Sequence, residues 1–223
     1  MSEFVAVAID GPSGAGKSTI AKRLAATLGF VYVDTGAMYR TVGLAVLRRG
    51  IDVNDKPAVI AALKDIDVSI AYVDGAQRVL LNGEDVSDQI RTPEVSMAAS
   101  TTSAIPEVRK FLFETQQKLA RENNVIMDGR DIGTVVLPDA KVKIFLSASV
   151  EDRARRRFDE LKEKGMDVLF EDVLEDMKRR DYNDSHRDVA PLKPADDAVS
   201  VDTTGNTLEE SVALMESIVK EKL

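Results

Sequence analysis

The chain contains no cysteine, which removes disulfides, thiolate nucleophiles and cysteine-ligated zinc at one stroke. It has one histidine, His186. Residues 11–15, Gly-Pro-Ser-Gly-Ala, lack the last glycine of a G-x-S-x-G nucleophile elbow, so serine hydrolase chemistry has no support. Residues 14–19, Gly-Ala-Gly-Lys-Ser-Thr, break the G-x-G-x-x-G dinucleotide pattern. No Asn-Lys-x-Asp segment is present to read guanine, and the seven methionines show no cofactor spacing. Positive charge is not in excess. The formal net charge of -8 argues against a general nucleic-acid or anionic-membrane binder. The start, Met1 to Phe4, has no basic region, and the apolar run after it is too short for a signal peptide or a membrane span. No long apolar stripe demands a partner, so a cytoplasmic monomer is expected.

What is present is a 223-residue chain, 44% hydrophobic, enough for one domain with inserted lobes. Short apolar runs at 4–9, 31–33, 125–127, 142–146 and 199–201 alternate with helical patterns at 19–28, 36–49, 106–123, 150–164 and 207–222. That alternation predicts an α/β fold around a parallel sheet. Ser149 with Asp152, and Thr207 with Glu210, have the spacing of capping boxes. One stretch departs from the pattern. Runs at 68–73 and 78–82 flank a glycine-containing turn at 74–77, which predicts a small antiparallel hairpin within residues 63–92.

Residues 11–18 read Gly-Pro-Ser-Gly-Ala-Gly-Lys-Ser between a strand pattern and a helix pattern, the context a phosphate-binding loop requires. Backbone N–H groups of Gly11, Pro12, Ser13, Gly14, Ala15, Gly16, Lys17, Ser18 and Thr19, proline excepted, are placed to wrap a polyphosphate. Lys17 adds a charge for the β- and γ-phosphates, and the Ser18 hydroxyl suits Mg²⁺.

Three further clusters stand out, two of them at strand ends. Residues 34–40, Asp-Thr-Gly-Ala-Met-Tyr-Arg, follow the second strand, so Asp34, Thr35 and Arg40 aim at the same cleft as the loop; Asp34 or Thr35 serving only as a helix cap is the alternative. Residues 128–131, Asp-Gly-Arg-Asp, close the third strand, where an acid commonly assists Mg²⁺. Arg180, Asp184 and Arg187 share a face if the helix continues; an ordinary ion pair with a stray arginine is the alternative. Eight of the 16 arginines fall between residues 130 and 187, which fits a cationic cleft for a polyanionic small ligand and equally fits solvated helix faces.

Together, residues 9–18, 34–40, 128–136 and 180–192 resemble the bacterial cytidylate kinases, and the resemblance runs over essentially the whole chain. It implies a three-layer P-loop kinase fold with a five-stranded parallel sheet, an antiparallel β insert in a monophosphate-binding lobe at about 36–105, and a helical lid at about 151–166, in one domain over residues 1–223. It implies transfer of the ATP γ-phosphoryl group to CMP or dCMP with Mg²⁺, nucleotides being the only partners. Carried over position by position, Arg40, Arg130 and Arg187 hold the acceptor phosphate, with Thr35 shaping the pocket. Ser100, Arg109 and Asp131 read cytosine, Arg180 and Asp184 contact ribose, and Arg153 and Arg157 of the lid close on the ATP phosphates. The chemistry agrees with the residue types. A phosphate acceptor with a second pKa of about 6 is mostly a dianion at neutral pH, so positioning and charge neutralisation matter more than a general base. A kinase of the same build with another acceptor, UMP, AMP or a small alcohol (the last with Asp34 as base), and a non-catalytic ATP-binding switch are the competing readings; the many cleft arginines favour a phosphorylated acceptor.

Overall fold

The structure is a computed structural model that describes residues 4–223; the leaderless start read at Met1 to Glu3 lies outside the described residues. Along the chain run β1 (Ala6–Asp10), α1 (Lys17–Leu28), β2 (Val31–Asp34), α2 (Thr35–Arg48), α3 (Lys56–Ala62), β3 (Val68–Val73), β4 (Ala76–Leu81), β5 (Glu84–Asp85), α4 (Pro93–Thr102), α5 (Pro106–Glu122), β6 (Val125–Gly129), β7 (Val142–Ser147), α6 (Val150–Glu163), α7 (Phe170–His186), β8 (Val199–Asp202) and α8 (Leu208–Lys222).

The five predicted apolar runs form one parallel sheet in the order β2-β6-β1-β7-β8. Side chains alternate across a strand, and β1 shows the consequence. Val7 and Ile9 pack with Ile20 and Leu24 of α1 and with Met215 and Val219 of α8. Ala8 faces the other way, towards Met127, Ala120 of α5 and Ile132. Helices therefore cover both faces, giving three layers. A second core, built around Met38, Val42 and Val46 of α2 with Val79, Leu81, Val95 and Leu112, holds the lobe that carries β3 to β5. There α2 packs on α4 so closely that a Cβ on Gly43 would lie 2.9 Å from the Ala99 nitrogen.

The hairpin pairs Val68–Val73 with Ala76–Leu81 in antiparallel register. Its turn is shorter than the four residues expected. Asp74 and Gly75 both take positive φ, 51° and 74°, the two-residue turn that matches strand twist, so β4 begins at Ala76. Asn82 and Gly83 repeat the device at φ 50° and 84° and return the chain as β5, a strand the sequence pattern did not predict. Nor did it predict α3, α4 and α7 as helices, although Asp55 and Thr92 cap the first two and a proline sits in the opening turn of each. Thr207 and Glu210 close a full capping box on α8. At α6 only half of one forms. Ser149 Oγ accepts from the Asp152 N–H, whereas the Asp152 carboxylate accepts from the Gly205 N–H and the Ser149 N–H donates to Thr204. Arg187 is not on the α7 face that carries Arg180 and Asp184; it is the residue after the helix, in extended backbone.

Candidate active site

The loop after β1 is shaped by crowding. A Cβ on Gly11 would sit 1.9 Å from the Leu146 carbonyl oxygen, at φ 150°, so only glycine lets the chain leave β1 beside β7. Gly16 takes φ 87° as the cap of α1 and aims the first N–H groups of the helix into the loop, a site for anions. Lys17 is buried, and its Nζ donates to the Pro12 carbonyl at 2.7 Å. Burial, with Arg130 nearby, lowers its pKa to about 7.

Ser18 Oγ donates to Asp128 Oδ2 at 2.7 Å, and Tyr32 Oη donates to Asp128 Oδ1 at 3.3 Å. Asp128 is thus held at the foot of the loop, where burial and the neighbouring Asp34 carboxylate raise its pKa to about 6. An oxygen-only pair of hydroxyl and buried carboxylate fits a hard divalent cation. Among the described residues no group of three His, Asp or Glu side chains that could hold a metal ion forms, so this pair is the protein's own offering to such an ion. Its place at a strand end alone suits Asp128 to Mg²⁺; the hydrogen bond from Ser18 makes it the partner of that hydroxyl.

Facing the loop across a cleft of about 700 Å³ stand the remaining polar groups. Every predicted site residue lines this cleft except Gly11, Pro12 and Arg153. Asp34 is both cap and cleft group. Its Oδ1 accepts from the Ala37 N–H and its Oδ2 takes Arg40 Nη2 at 3.0 Å. Burial works against the charge, but Arg40 and the N–H hold the Asp34 carboxyl below its usual range. Thr35 Oγ1 donates to the Asp128 carbonyl at 2.7 Å, which ties the end of β2 to β6. Asp131 pairs with Arg109 through a short hydrogen bond and lies 3.6 Å from Arg187. Asp184 accepts from Arg130 Nε at 2.8 Å. Behind Asp131, the Asp10 carboxylate accepts from the Ile132 and Gly133 N–H groups at 2.8 and 2.7 Å, and burial raises its pKa to about 6.

Four buried polar atoms in this cleft have no hydrogen-bond partner: Arg40 Nε, Ser100 Oγ, Arg180 Nε and Arg187 Nη2. Buried orphan donors are uncommon and costly, and these converge on one cavity. Burial and the nearby Arg130 lower the Arg180 pKa to about 10; burial and Arg109 lower that of Arg187. The cleft thus crowds guanidinium groups together, Arg40, Arg109 and Arg130 each paired with a carboxylate, and still leaves buried donors on Arg40, Arg180 and Arg187 unbonded.

Arg153 is a correction. It is buried; Nε donates to the Ala148 carbonyl, Nη1 to the Ser13 carbonyl, and both terminal nitrogens reach Asp181, at 3.1 and 2.5 Å. Its donors are taken up joining the loop to α6 and α7, and it does not line the cleft. Arg156, one turn on, lines the cleft instead with Arg157 and donates to the Thr203 carbonyl at 3.0 Å. Asn206, Thr207, Leu208 and Ser211, at and before the first turn of α8, line the cleft as well. These groups were missed because nothing in their spacing sets them apart.

A phosphate loop at the carboxyl edge of a parallel sheet, opposed by unpartnered guanidinium donors, defines a P-loop kinase. Within that class the chain belongs to the cytidylate kinase family, whose description matches residues 7–221. It is 55% identical over 204 residues to the cytidylate kinase of Caldicellulosiruptor bescii, covering 92% of this chain and 90% of that one. With the cytidylate kinase of Pasteurella multocida it shares 47% over 223 residues, 100% and 98% of the two chains. Among solved structures, an uncharacterized protein from Eubacterium ventriosum aligns over 98% of this chain and 99% of its own, with a TM-score of 0.55 at 14% identity, a likeness of fold alone.

Proposed function

We propose that the cleft binds two nucleotides with their phosphates meeting at its centre, and that the residues around it divide the work as follows. As a cytidylate kinase, the chain transfers the γ-phosphoryl group of ATP to CMP or dCMP. The convergence of four orphan donors opposite the phosphate loop is the observation that supports the two-nucleotide arrangement best. The loop and Lys17 hold the ATP phosphates, with Arg156 and Arg157 above them and Asn206 to Leu208 at the adenosine end. Arg40, Arg130 and Arg187 hold the acceptor phosphate, Ser100, Arg109 and Asp131 take the cytosine, and Arg180 with Asp184 takes the ribose. Ser18 and Asp128 hold Mg²⁺, which when bound supplies charge neutralisation between the phosphates.

An acceptor phosphate oxygen forms the new P–O bond as the bond from the γ-phosphorus to its bridging oxygen breaks, leaving ADP. The acceptor is already a dianion, so no side chain has to remove a proton. The protein's part is to bring two anions together and stabilise the charge as it moves. Arginine suits this because its planar fork meets two phosphate oxygens at once. Residues of about 36–105 close from the acceptor side and about 151–166 from the ATP side, which keeps water from the γ-phosphate. With Arg153 anchoring the start of α6, that motion belongs to the part of the helix beyond it. Every residue given a role here belongs to one chain, which supports a monomeric enzyme.

ADP release with Mg-ATP against CMP, dCMP, UMP, AMP, GMP and no acceptor tests this division. Turnover centred on CMP and dCMP is expected; preference for another monophosphate would overturn the roles of Ser100, Arg109 and Asp131. A second test uses Lys17, largely neutral in the free protein above pH 7 because its pKa is lowered to about 7. A polyphosphate beside it favours the charged form, so ATP binding at pH 8 is expected to take up close to one proton. Affinity should therefore weaken as pH rises from 7.5 to 9. Titration calorimetry in two buffers of different ionisation enthalpy reads this directly, and equal heats in both at pH 8 would contradict it. The window lies above pH 7.5 because Asp128 and Asp10 titrate near 6.

A further inference from the structure

β2 is an edge strand of the parallel sheet, paired on one side with β6. Its other side is met by the hairpin of the acceptor lobe. Gln77 Oε1 accepts from the Asp34 N–H at 2.8 Å, and Gln77 Nε2 donates to the Asp34 carbonyl at 3.3 Å. Tyr72 Oη donates to the Tyr32 carbonyl at 3.0 Å. Tyr72 and Gln77 are directly opposite each other in the hairpin register. In a strand, the carbonyl of one residue and the N–H two residues on point the same way, so this cross-strand pair satisfies three successive groups along the open edge of β2. A side-chain amide here replaces the backbone ladder that a further strand would supply.

The residue so gripped is Asp34. Its carboxylate caps α2 and holds Arg40 at Nη2, which leaves the buried Arg40 Nε unpartnered in the cleft. A shift of the Asp34 backbone moves the carboxylate, and with it the Arg40 guanidinium. We propose that Gln77, seconded by Tyr72, is a positioning residue for the acceptor phosphate, acting through Asp34 on Arg40. The insert is then more than a cover for the lobe: its tip sets the angle at which one phosphate-binding arginine enters the cleft. This rests on the reading of Arg40 as an acceptor-phosphate contact.

Gln77→Met removes both polar atoms at nearly constant volume. The expected result is a rise of about three- to tenfold in KM for CMP, with KM for ATP unchanged within about twofold. Tyr72→Phe, a milder change, should shift KM for CMP in the same direction by less. The decisive comparison is the Arg40→Met background, where Gln77→Met should add less than about twofold, since residues acting through one another are not additive. An equal effect in both backgrounds, a parallel rise for ATP and CMP, or no rise in KM for CMP would overturn the proposal. If Arg40→Met itself leaves KM for CMP unchanged, the reading of Arg40 fails first, a result distinguishable from failure of the Gln77 link.

Discussion

Replacing Lys17 by methionine is expected to lower kcat by about a thousandfold while leaving the chain folded. The two halves of that expectation have different causes. In the free protein Lys17 is an uncomfortable residue, fully enclosed, bonded only to the Pro12 carbonyl, and with its charged form disfavoured by burial and by Arg130. Methionine fills the same space without a charge, so stability should hold or rise. In the reaction, the same ammonium is the loop's own positive side chain, since residues 11–18 contain no other cationic residue and the Arg153 guanidinium at the Ser13 carbonyl is committed to Asp181. Charge developing on the β–γ bridging oxygen would lose a preorganised partner, a loss of about 4 kcal/mol at the barrier. Steady-state kinetics with CMP and a thermal melt check both halves. A kcat within tenfold of the parent would show that the arginines alone neutralise the transferred group. A large fall in melting temperature would show that Lys17 is chiefly structural.

The same tension between fold and function explains which parts of the site can be read in the sequence. The phosphate loop is legible because its residues stand at fixed spacing within one short segment: glycines at 11, 14 and 16, all at positive φ, with the lysine and serine directly after, even though the crowding at Gly11 and Gly14 comes from Leu146, Arg153 and Met177 far along the chain. The sheet is legible because its strands begin as short apolar runs, and three adjacent ones, β2, β6 and β1, are buried almost throughout. The hairpin is legible through Asp74-Gly75. Asn82-Gly83 is an equally clear turn signal, but the strand it leads into, Glu84–Asp85, is two acidic residues long and has no alternation to detect. α7 escapes for a related reason. Of its 17 residues only Val173, Met177 and Asp184 are buried, too few to draw an apolar stripe.

What joins the site together is not local at all. Ser18 meets Asp128 across 110 residues, Asp10 meets the Ile132 and Gly133 N–H groups across 122 and 123, and Arg130 meets Asp184 across 54. No pattern along the chain encodes such pairs. The arginines of α6 show the cost. Helical spacing puts Arg153, Arg156 and Arg157 on one side and Arg155 on another, where it lies 4.1 Å from the Phe170 ring. Which of the three is buried as a brace depends on Asp181, 28 residues away on α7. The sequence therefore identifies a charged helix near the phosphates and leaves the working arginines to be assigned by structure.

Asp131→Asn is the second change with a large expected effect, and it separates recognition from scaffolding. The carboxylate binds Arg109 closely and stands 3.6 Å from Arg187, with all three side chains buried. Asparagine removes the negative charge and leaves two enclosed guanidinium groups facing each other, a disruption of about 3–5 kcal/mol when one partner of a buried pair is lost. If Asp131 also accepts the exocyclic amino group of cytosine, the effect on substrates is unequal. The asparagine amide can still accept from that amino group, but it can equally donate to the carbonyl that uracil carries in its place. kcat/KM for CMP should then fall about 100- to 1000-fold, while that for UMP falls much less. The CMP to UMP ratio is expected to shrink by about 100-fold, with KM for ATP near its original value. Steady-state rates with both monophosphates decide the matter. A parallel loss for CMP and UMP would mean that Asp131 only holds Arg109 and Arg187 in place, and cytosine selection would pass to Ser100 and Arg109.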